Sequence, residues 1–427
     1  MKILVIGSGG REHALCWSLS DSPLCDELYC APGNAGIKSC AKCVPINAND
    51  IDTLVSFVEE KCIDFVVVGP EEPLVLGIAD KLRDKNIKTF GPSKNASQLE
   101  GSKSFMKELV FNNDIPTASY GSFSNIEEAK KYIYEKGAPI VIKTSGLAAG
   151  KGVLICQTVD DAIAAVNKVM KEKVFGAAGD VIIIEEFLTG EEISFFALVD
   201  GKNIMPLASA QDHKAVGDGD KGPNTGGMGA YSPAPAMTSC LQNKIMKEII
   251  IPTVDAMNKS GNQYQGVLFA GLMITDSGPK LLEYNIRFGD PECQVLMRRL
   301  KSDLLPALIA TSDGQLDNIT LKWANDAAIV VIMAADGYPG NYKKGTIIKN
   351  TDIAQEEDHV EIFHSGTISR DNNIVANGGR VLGITSTGKT VTDANSNAYK
   401  AIQKIDWPDG FYRKDIGWRA IRDEEGV

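Results

Sequence analysis

Leu281-Leu-Glu-Tyr-Asn-Ile-Arg-Phe-Gly-Asp-Pro-Glu292 is the stretch on which the reading of this chain turns. It reads as a strand followed by a tight turn. Glu283, Asn285 and Arg287 alternate, so a strand points all three to one face. Leu282, Tyr284 and Ile286 then face a core. A carboxylate, an amide oxygen and a guanidinium on one face are costly to bury without partners. Glu and Asn are hard oxygen ligands of the kind Mg²⁺ takes beside phosphate oxygens. Arg287 offers a planar fork for carboxylate or phosphate, and the turn adds Asp290 at the strand end. The apolar run Val267–Ile274 followed by Thr-Asp-Ser-Gly-Pro279 predicts an antiparallel hairpin beneath this face.

A chain of 427 residues exceeds one ordinary core and predicts about two to four domains. Apolar content of 44% and charged content of 23% describe a globular chain. A net charge of −11, with no Lys/Arg block, argues against nucleic-acid or membrane partners. No apolar run reaches spanning length, and Met1–Gly7 is too short for a signal peptide. Nine scattered cysteines predict reduced thiols in a cytoplasm. Cys40-Ala-Lys-Cys43 has no second Cys/His pair after it, so its spacing reads as chance.

The first hundred residues alternate short apolar strands with helical patterns, which predicts a parallel sheet. The strands run into Gly7-Ser-Gly-Gly-Arg11, Pro32-Gly-Asn-Ala-Gly36, Gly69-Pro-Glu-Glu-Pro73 and Gly91-Pro-Ser93. Such tips gather on one sheet edge, where ligands bind. Glu12 replaces the last glycine of a dinucleotide fingerprint, and no acid ends the second strand, which disfavours a dehydrogenase. Free N–H groups at the first helix start, with Arg11, predict a phosphate-bearing ligand there.

Ser102 is a candidate N-cap for a helix from Lys103. Pro139–Lys143, the loop Gly146–Gly152 and Val153–Cys156 read as strand, glycine tip and strand. This differs from a Walker loop, which runs into a helix. Lys143 and Lys151 would balance phosphate charge, and the loop should slow its hydrogen exchange when ATP and metal close it. Val181–Ile184 reads as a buried strand ending in Glu185–Leu188, whose backbone can read an adenine edge while Glu192 holds ribose. The glycines between Gln211 and Pro233 predict a loop ordered around ligand, with Asp212 as its ionisable candidate and His213 as a structural hydrogen-bonder. Leu241–Asn258 and Met297–Thr311 read as helices, and the last hundred residues as a smaller α/β or α+β domain.

Several of these runs, taken in order, resemble the phosphoribosylamine–glycine ligase (glycinamide ribonucleotide synthetase) family of the ATP-grasp superfamily. They are Gly-Ser-Gly-Gly-Arg-Glu-His13, Ala-Pro-Gly-Asn-Ala-Gly36, Gly-Pro-Glu-Glu-Pro73, Gly-Leu-Ala-Ala-Gly-Lys-Gly152, Gly-Pro-Asn-Thr-Gly-Gly-Met-Gly-Ala-Tyr-Ser-Pro233, Arg-Phe-Gly-Asp-Pro-Glu292 and Arg-Lys-Asp-Ile-Gly-Trp-Arg419. The resemblance implies an α/β ATP-grasp fold with a Rossmann-like domain over 1–101. An ATP-grasp domain over 102–324 would follow, with a lid at about 124–188, and then a C-terminal domain over 325–427.

It also implies ATP-dependent ligation of glycine to 5-phosphoribosylamine in de novo purine synthesis, through glycyl phosphate, with Mg²⁺ or Mn²⁺. Lys103, Lys143, Gly150, Lys151 and Gly152 would then hold nucleotide phosphates. Glu185, Glu186, Leu188 and Glu192 would hold adenosine, and Glu283 and Asn285 the metal. Arg287, Asp290 and Asp212 would serve glycine and the transferring phosphoryl group. Gly9, Gly10, Arg11, Gly33, Asn34, Pro70 and Glu71 would hold phosphoribosylamine, so Arg11→Ala should raise its KM more than that of ATP. Small-molecule substrates and a monomer or weak dimer are expected. Val267–Ile274 carries no third acidic ligand, so water and phosphate would complete the metal shell. Glu283→Gln should abolish turnover while stability without metal holds or rises. The rivals are a biotin carboxylase-type ligase and a nucleotide sensor with a dead site.

Overall fold

A computed structural model describes residues 1–148 and 151–426. Gly150, expected at the phosphates, lies outside the described residues, as does part of the expected closing loop. Five parallel strands form the first sheet, in the order Lys42–Cys43, Glu27–Pro32, Lys2–Gly7, Phe65–Val68, Lys88–Phe90. The order reverses direction beside Lys2–Gly7, so the tips at Gly7 and Gly69 flank a topological switch point. Lys42–Cys43, only two residues long, is too short to read from sequence.

The hairpin carrying the key stretch is present. Gln265–Thr275 pairs antiparallel with Gly278–Asn285, inside a four-stranded sheet with Glu191–Asp200 and Ile204–Pro206. Its face assignment differs from simple alternation. Gly271 lies opposite Glu283 and Leu272 opposite Leu281, so Leu282 is an extra, bulged residue. Leu281, Tyr284 and Ile286 therefore enter the core, while Leu282 joins Glu283 on the cavity side. The strand ends at Asn285, and Arg287 stands beyond it.

A separate antiparallel sheet is built from Tyr120–Phe123, Ile182–Glu186, Ile140–Thr144 and Val153–Cys156. It has its own core around Ile133, Ile140, Ile142, Val166 and Ile184. The Ile140–Thr144 and Val153–Cys156 pair is the strand–loop–strand expected there. Ser102 does cap the next helix by accepting from the Phe105 N–H at 3.3 Å.

Two sequence expectations fail for physical reasons. Residues 211–233 are not all loop: Gln211–Asp212 and Gly229–Ser232 are strands, and the latter pairs with Ala327–Ala335 of the C-terminal sheet. Gly229 is there because of crowding, since a Cβ would lie 2.6 Å from the Val330 carbonyl oxygen and 2.7 Å from Ile416. The helix expected over Met297–Thr311 is two helices, Glu292–Arg299 and Leu304–Asp313, the second capped when Asp303 accepts from the Leu305 N–H at 3.0 Å.

The helix after the first strand meets the C-terminal sheet through a histidine pair. His13 Nδ1 accepts from the His364 N–H at 2.8 Å, which requires a neutral ring. Burial, aided by His364, holds the His13 pKa down to about 3, and burial holds His364 down to about 4. A histidine kept neutral when folded takes its proton only on unfolding. Its stabilisation is whole above pH 6.5 and declines as pH falls toward these values. At pH 5.5 each ring should cost about 1.4 kcal/mol relative to neutral pH. Thermal midpoints at pH 7.5 and 5.5 check this, because His13→Asn should remove about half of that histidine contribution.

Candidate active site

A cavity of about 470 Å³ lies where these parts meet. Of the residues singled out from sequence, Arg11, Pro70 and Glu71 of the first domain line it. So do Lys103, Lys143, Gly152, Glu185, Glu186, Leu188 and Glu192. Asp212, Glu283, Asn285, Arg287 and Asp290 complete that set. Gly9, Gly10, Gly33, Asn34 and Lys151 are not part of its lining. Lys151 instead donates to the Pro339 carbonyl at 3.2 Å.

The Leu282 bulge turns Glu283 toward the cavity, opposite a glycine that leaves room beside it. No cluster of three His, Cys, Asp or Glu among the described residues suits a metal ion. Glu283 and Asn285 fit a divalent ion that takes its remaining ligands from phosphate and water. Burial raises the Glu283 carboxyl pKa, but Lys214, Lys103, Lys143 and Arg287 outweigh it and bring it to about 2. The carboxylate therefore sits in a field of cations even without metal. On this field the metal-free effect expected of Glu283→Gln is a fall in stability, where sequence alone suggests that stability holds or rises.

The Glu185 side chain, expected to help hold adenosine, is engaged by two lysines. It is buried 3.0 Å from Lys143 Nζ and 3.2 Å from Lys107 Nζ. Lys143 also donates to the Leu282 carbonyl at 3.0 Å, which fixes it beside the strand that carries Glu283. Two lysines around one carboxylate leave a surplus positive charge suited to phosphate. Burial pushes Lys107 down to about 8, against the pull of Glu185. Sequence reading missed Lys107, although its spacing of one helical turn from Lys103 was a signal. Glu186 turns outward, accepting from the Ser119 N–H at 3.0 Å and lying 3.4 Å from Lys280. Glu192 pairs with Lys214, another residue not anticipated.

Arg287 bridges Glu71 at 3.1 Å and Glu100 at 2.9 Å. Glu100 also accepts from the Ile286 N–H at 2.8 Å, so it fixes the strand end that carries Glu283 and Asn285. Two carboxylates share one guanidinium and divide unequally. Burial raises the Glu71 carboxyl pKa, yet Arg287 and Arg11 outweigh that and draw it to about 2. Burial pushes Glu100 up to about 7 despite Arg287, and the Glu71 charge adds to the rise.

At the first helix start, two of the N–H groups already have carboxylate acceptors. Glu12 accepts from the Gly9 N–H at 2.6 Å, and Asp290 from the Arg11 N–H at 3.4 Å. Arg11 itself is buried, with Nε 2.5 Å from Glu12 and Nη1 3.2 Å from the Phe288 carbonyl. Asn34 donates to the Ser8 carbonyl at 2.8 Å and the His364 carbonyl at 2.7 Å, and accepts from Gly36 and Ile37. Its polar atoms hold the two end domains together.

Burial holds the Asp212 carboxyl well above its usual range, against the pull of Lys214. Its loop is buckled by the C-terminal motif. Arg413, 1% exposed, grips Asp415 with two bonds of 2.8 Å, Asp220 at 2.9 Å and the Ala215 carbonyl at 3.0 Å. His213 accepts from the Gly417 N–H at 2.9 Å, the structural role expected of it.

Comparison with known proteins agrees with this geometry. Residues 1–100 match the N domain of phosphoribosylglycinamide synthetase, residues 101–293 its ATP-grasp (A) domain and residues 328–419 its C domain. The chain belongs to the phosphoribosylglycinamide synthetase family. It is 56% identical over 425 residues to phosphoribosylamine–glycine ligase of Brucella melitensis, covering 100% of this chain and 99% of that protein. The crystal structure of phosphoribosylamine–glycine ligase from Thermotoga maritima has a TM-score of 0.85 at 32% identity, covering 97% of this chain and 100% of that one. Biotin carboxylase from Campylobacter jejuni has a TM-score of 0.72 at 15% identity over 96% of this chain and 92% of that one, a likeness of fold alone. The biotin carboxylase rival is thereby set aside. Family membership makes the chain an ATP-dependent carbon–nitrogen ligase of purine biosynthesis. No helix among the described residues is long and apolar enough to cross a membrane.

Proposed function

We propose that this cavity joins glycine to 5-phosphoribosylamine, converting ATP to ADP and phosphate by way of glycyl phosphate. One observation carries the reading. A single cavity gathers the Glu283–Asn285 oxygen pair, the lysines of the nucleotide end and the Arg287–Glu71 bridge from the first domain. Mg²⁺ or Mn²⁺ on Glu283 and Asn285 would neutralise charge on the phosphate oxygens. Lys143, held by Glu185 and the Leu282 carbonyl, orients the phosphate chain. The backbone of Glu185–Leu188 faces adenine, and Glu192 serves the ribose. Arg287, held by Glu71 and Glu100, sets a positive field for the glycine carboxylate as it attacks the γ-phosphate, with Asp290 and Asp212 bordering the same space. The amine of phosphoribosylamine, seated against Pro70 and Glu71, then displaces phosphate. The protein contributes position and fixed charge, so no water need reorganise during either displacement.

We read the domains as 1–101, 102–324 with the lid at about 124–188, and 325–427, with residues 211–232 lending strands to the last. All nine cysteines are free, which suits a reducing cytoplasm. The test is ADP release in the presence of freshly generated phosphoribosylamine. Release should require glycine and phosphoribosylamine together. Full release without glycine would sink the proposal.

A further inference from the structure

We propose that Arg380, from the C-terminal sheet, receives the phosphate monoester of the ribose-bearing substrate. This rests on the reading of the cavity as the phosphoribosylamine site. Arg380 opens the strand Arg380–Gly388, and its side chain, 19% exposed, lines the cavity. One nitrogen fixes it in place. Nη1 donates to the carbonyls of Gly226 at 2.7 Å, Gly227 at 3.3 Å and Asp290 at 2.5 Å. The Asp290 carboxylate lies 3.6 Å from the same nitrogen. Among the described residues, Nε and Nη2 have no protein acceptor. A guanidinium held by one corner presents its remaining edge in a set direction, the fork that matches a phosphate.

Arg11 and Arg287, the other cations near the first-domain tips, are engaged, and Lys103 stands on the nucleotide side of the cavity. Arg11 is tied to Glu12 and the Phe288 carbonyl, and Arg287 to Glu71 and Glu100. Lys143 lies on Glu185 and Lys214 on Glu192, both toward the nucleotide end. Asp290 places Arg380 beside the tip, because the same aspartate accepts from the Arg11 N–H at 3.4 Å. Part of the Arg380 charge is offset by Asp290. That carboxylate also accepts from Gln294 at 3.0 Å, so it is shared and does not cover the outer edge of the guanidinium. Arg11, the residue that sequence favours for this phosphate, instead ties the first domain to the turn after the metal strand.

Ribose 5-phosphate and ribose, as inhibitors of the full chain with ATP and glycine present, test the assignment. The wild type should prefer ribose 5-phosphate. In Arg380→Gln that preference should fall about ten- to hundredfold, and the KM for phosphoribosylamine should rise to match. The KM values for ATP and glycine should move less than about threefold, and Arg380→Lys should recover part of the loss. A wild-type preference that persists in Arg380→Gln overturns the role of Arg380 and leaves the site reading standing. Equal rises in all three KM values, with a lowered thermal midpoint, overturn it too, since that is what loosening the Gly226–Gly227 carbonyls alone would do. A wild type indifferent to the phosphate, and unable to use phosphoribosylamine, overturns the site reading and this proposal with it.

Discussion

Glu283→Gln is expected to cut glycine-dependent ADP release by about a thousandfold at any Mg²⁺ concentration, because losing about 4 kcal/mol of charge stabilisation at the phosphates costs that much in rate. The side chain keeps its size, so packing on Gly271 and Leu282 is little disturbed. Stability carries a second signature. The carboxyl pKa of about 2, held down by cations against burial, means that the folded protein prefers the charged form. That preference is present above the ordinary carboxyl value of 4.5 and is lost as pH falls toward 2. Removing the charge should therefore lower the metal-free thermal midpoint at neutral pH, by at most about 3 kcal/mol of stability. The difference between variant and wild type should shrink in acid. A solvated strand face would instead give about ±0.5 kcal/mol and an unchanged rate. Turnover at the wild-type rate in Glu283→Gln would remove this strand from the active site.

Arg413→Ala should be strongly destabilising although it is remote from the cavity. The substitution leaves Asp415 without its two-bond partner, and Asp220 with only Arg419 and the His213 ring nearby. Breaking a buried pair by removing one partner costs about 3–5 kcal/mol. The thermal midpoint should fall by roughly 6–20 °C. Arg413→Lys should recover less than half of this, since an ammonium cannot make the fork to Asp415. The buckle holds the loop whose flanks carry Asp212 and Lys214, so KM values should rise along with the loss of stability. A midpoint within 2 °C of wild type, a shift of about 0.5–1 kcal/mol at most, would show that the motif is not what fastens this loop.

Much of this was legible from local spacing, and the failures have a common cause. Glu283 and Asn285 could be paired because they lie within one strand, where alternation is geometric. Leu282 was misassigned because a bulge depends on the partner strand, here Gly271 and Leu272. Lys107 could have been found from helical spacing. Glu100 and Arg380 could not, because their partners Arg287 and Gly226 stand far away in sequence. That the Arg11 N–H has a carboxylate acceptor was not visible from sequence, because that carboxylate, Asp290, comes from the other side of the fold. The glycines of 211–233 suggested a loop, yet Gly229 answers to crowding by Val330 and Ile416. Alternation, caps and apolar runs are visible in sequence, whereas the choice between a ligand contact and an internal tie is made by residues that meet only after folding.

The pairing of Gly229–Ser232 with Ala327–Ala335 sets an order on the ribosome. The first strand is fully buried in the finished protein, yet its partner begins roughly a hundred residues later. At about 5–20 residues per second, the nascent chain waits roughly 5–20 s with one edge of that strand unmatched, the other being paired with Gln211–Asp212. The first parallel sheet can settle during this interval, but the cavity wall bearing Asp212 cannot. An open strand edge is a template for pairing with other chains, so this interval is when the chain is most exposed to self-association and to chaperones. A chain ending at residue 326 should sediment with the insoluble fraction where the whole chain stays in solution. Recovery of that fragment as a soluble, ATP-binding species would show that the strand finds another cover while it waits.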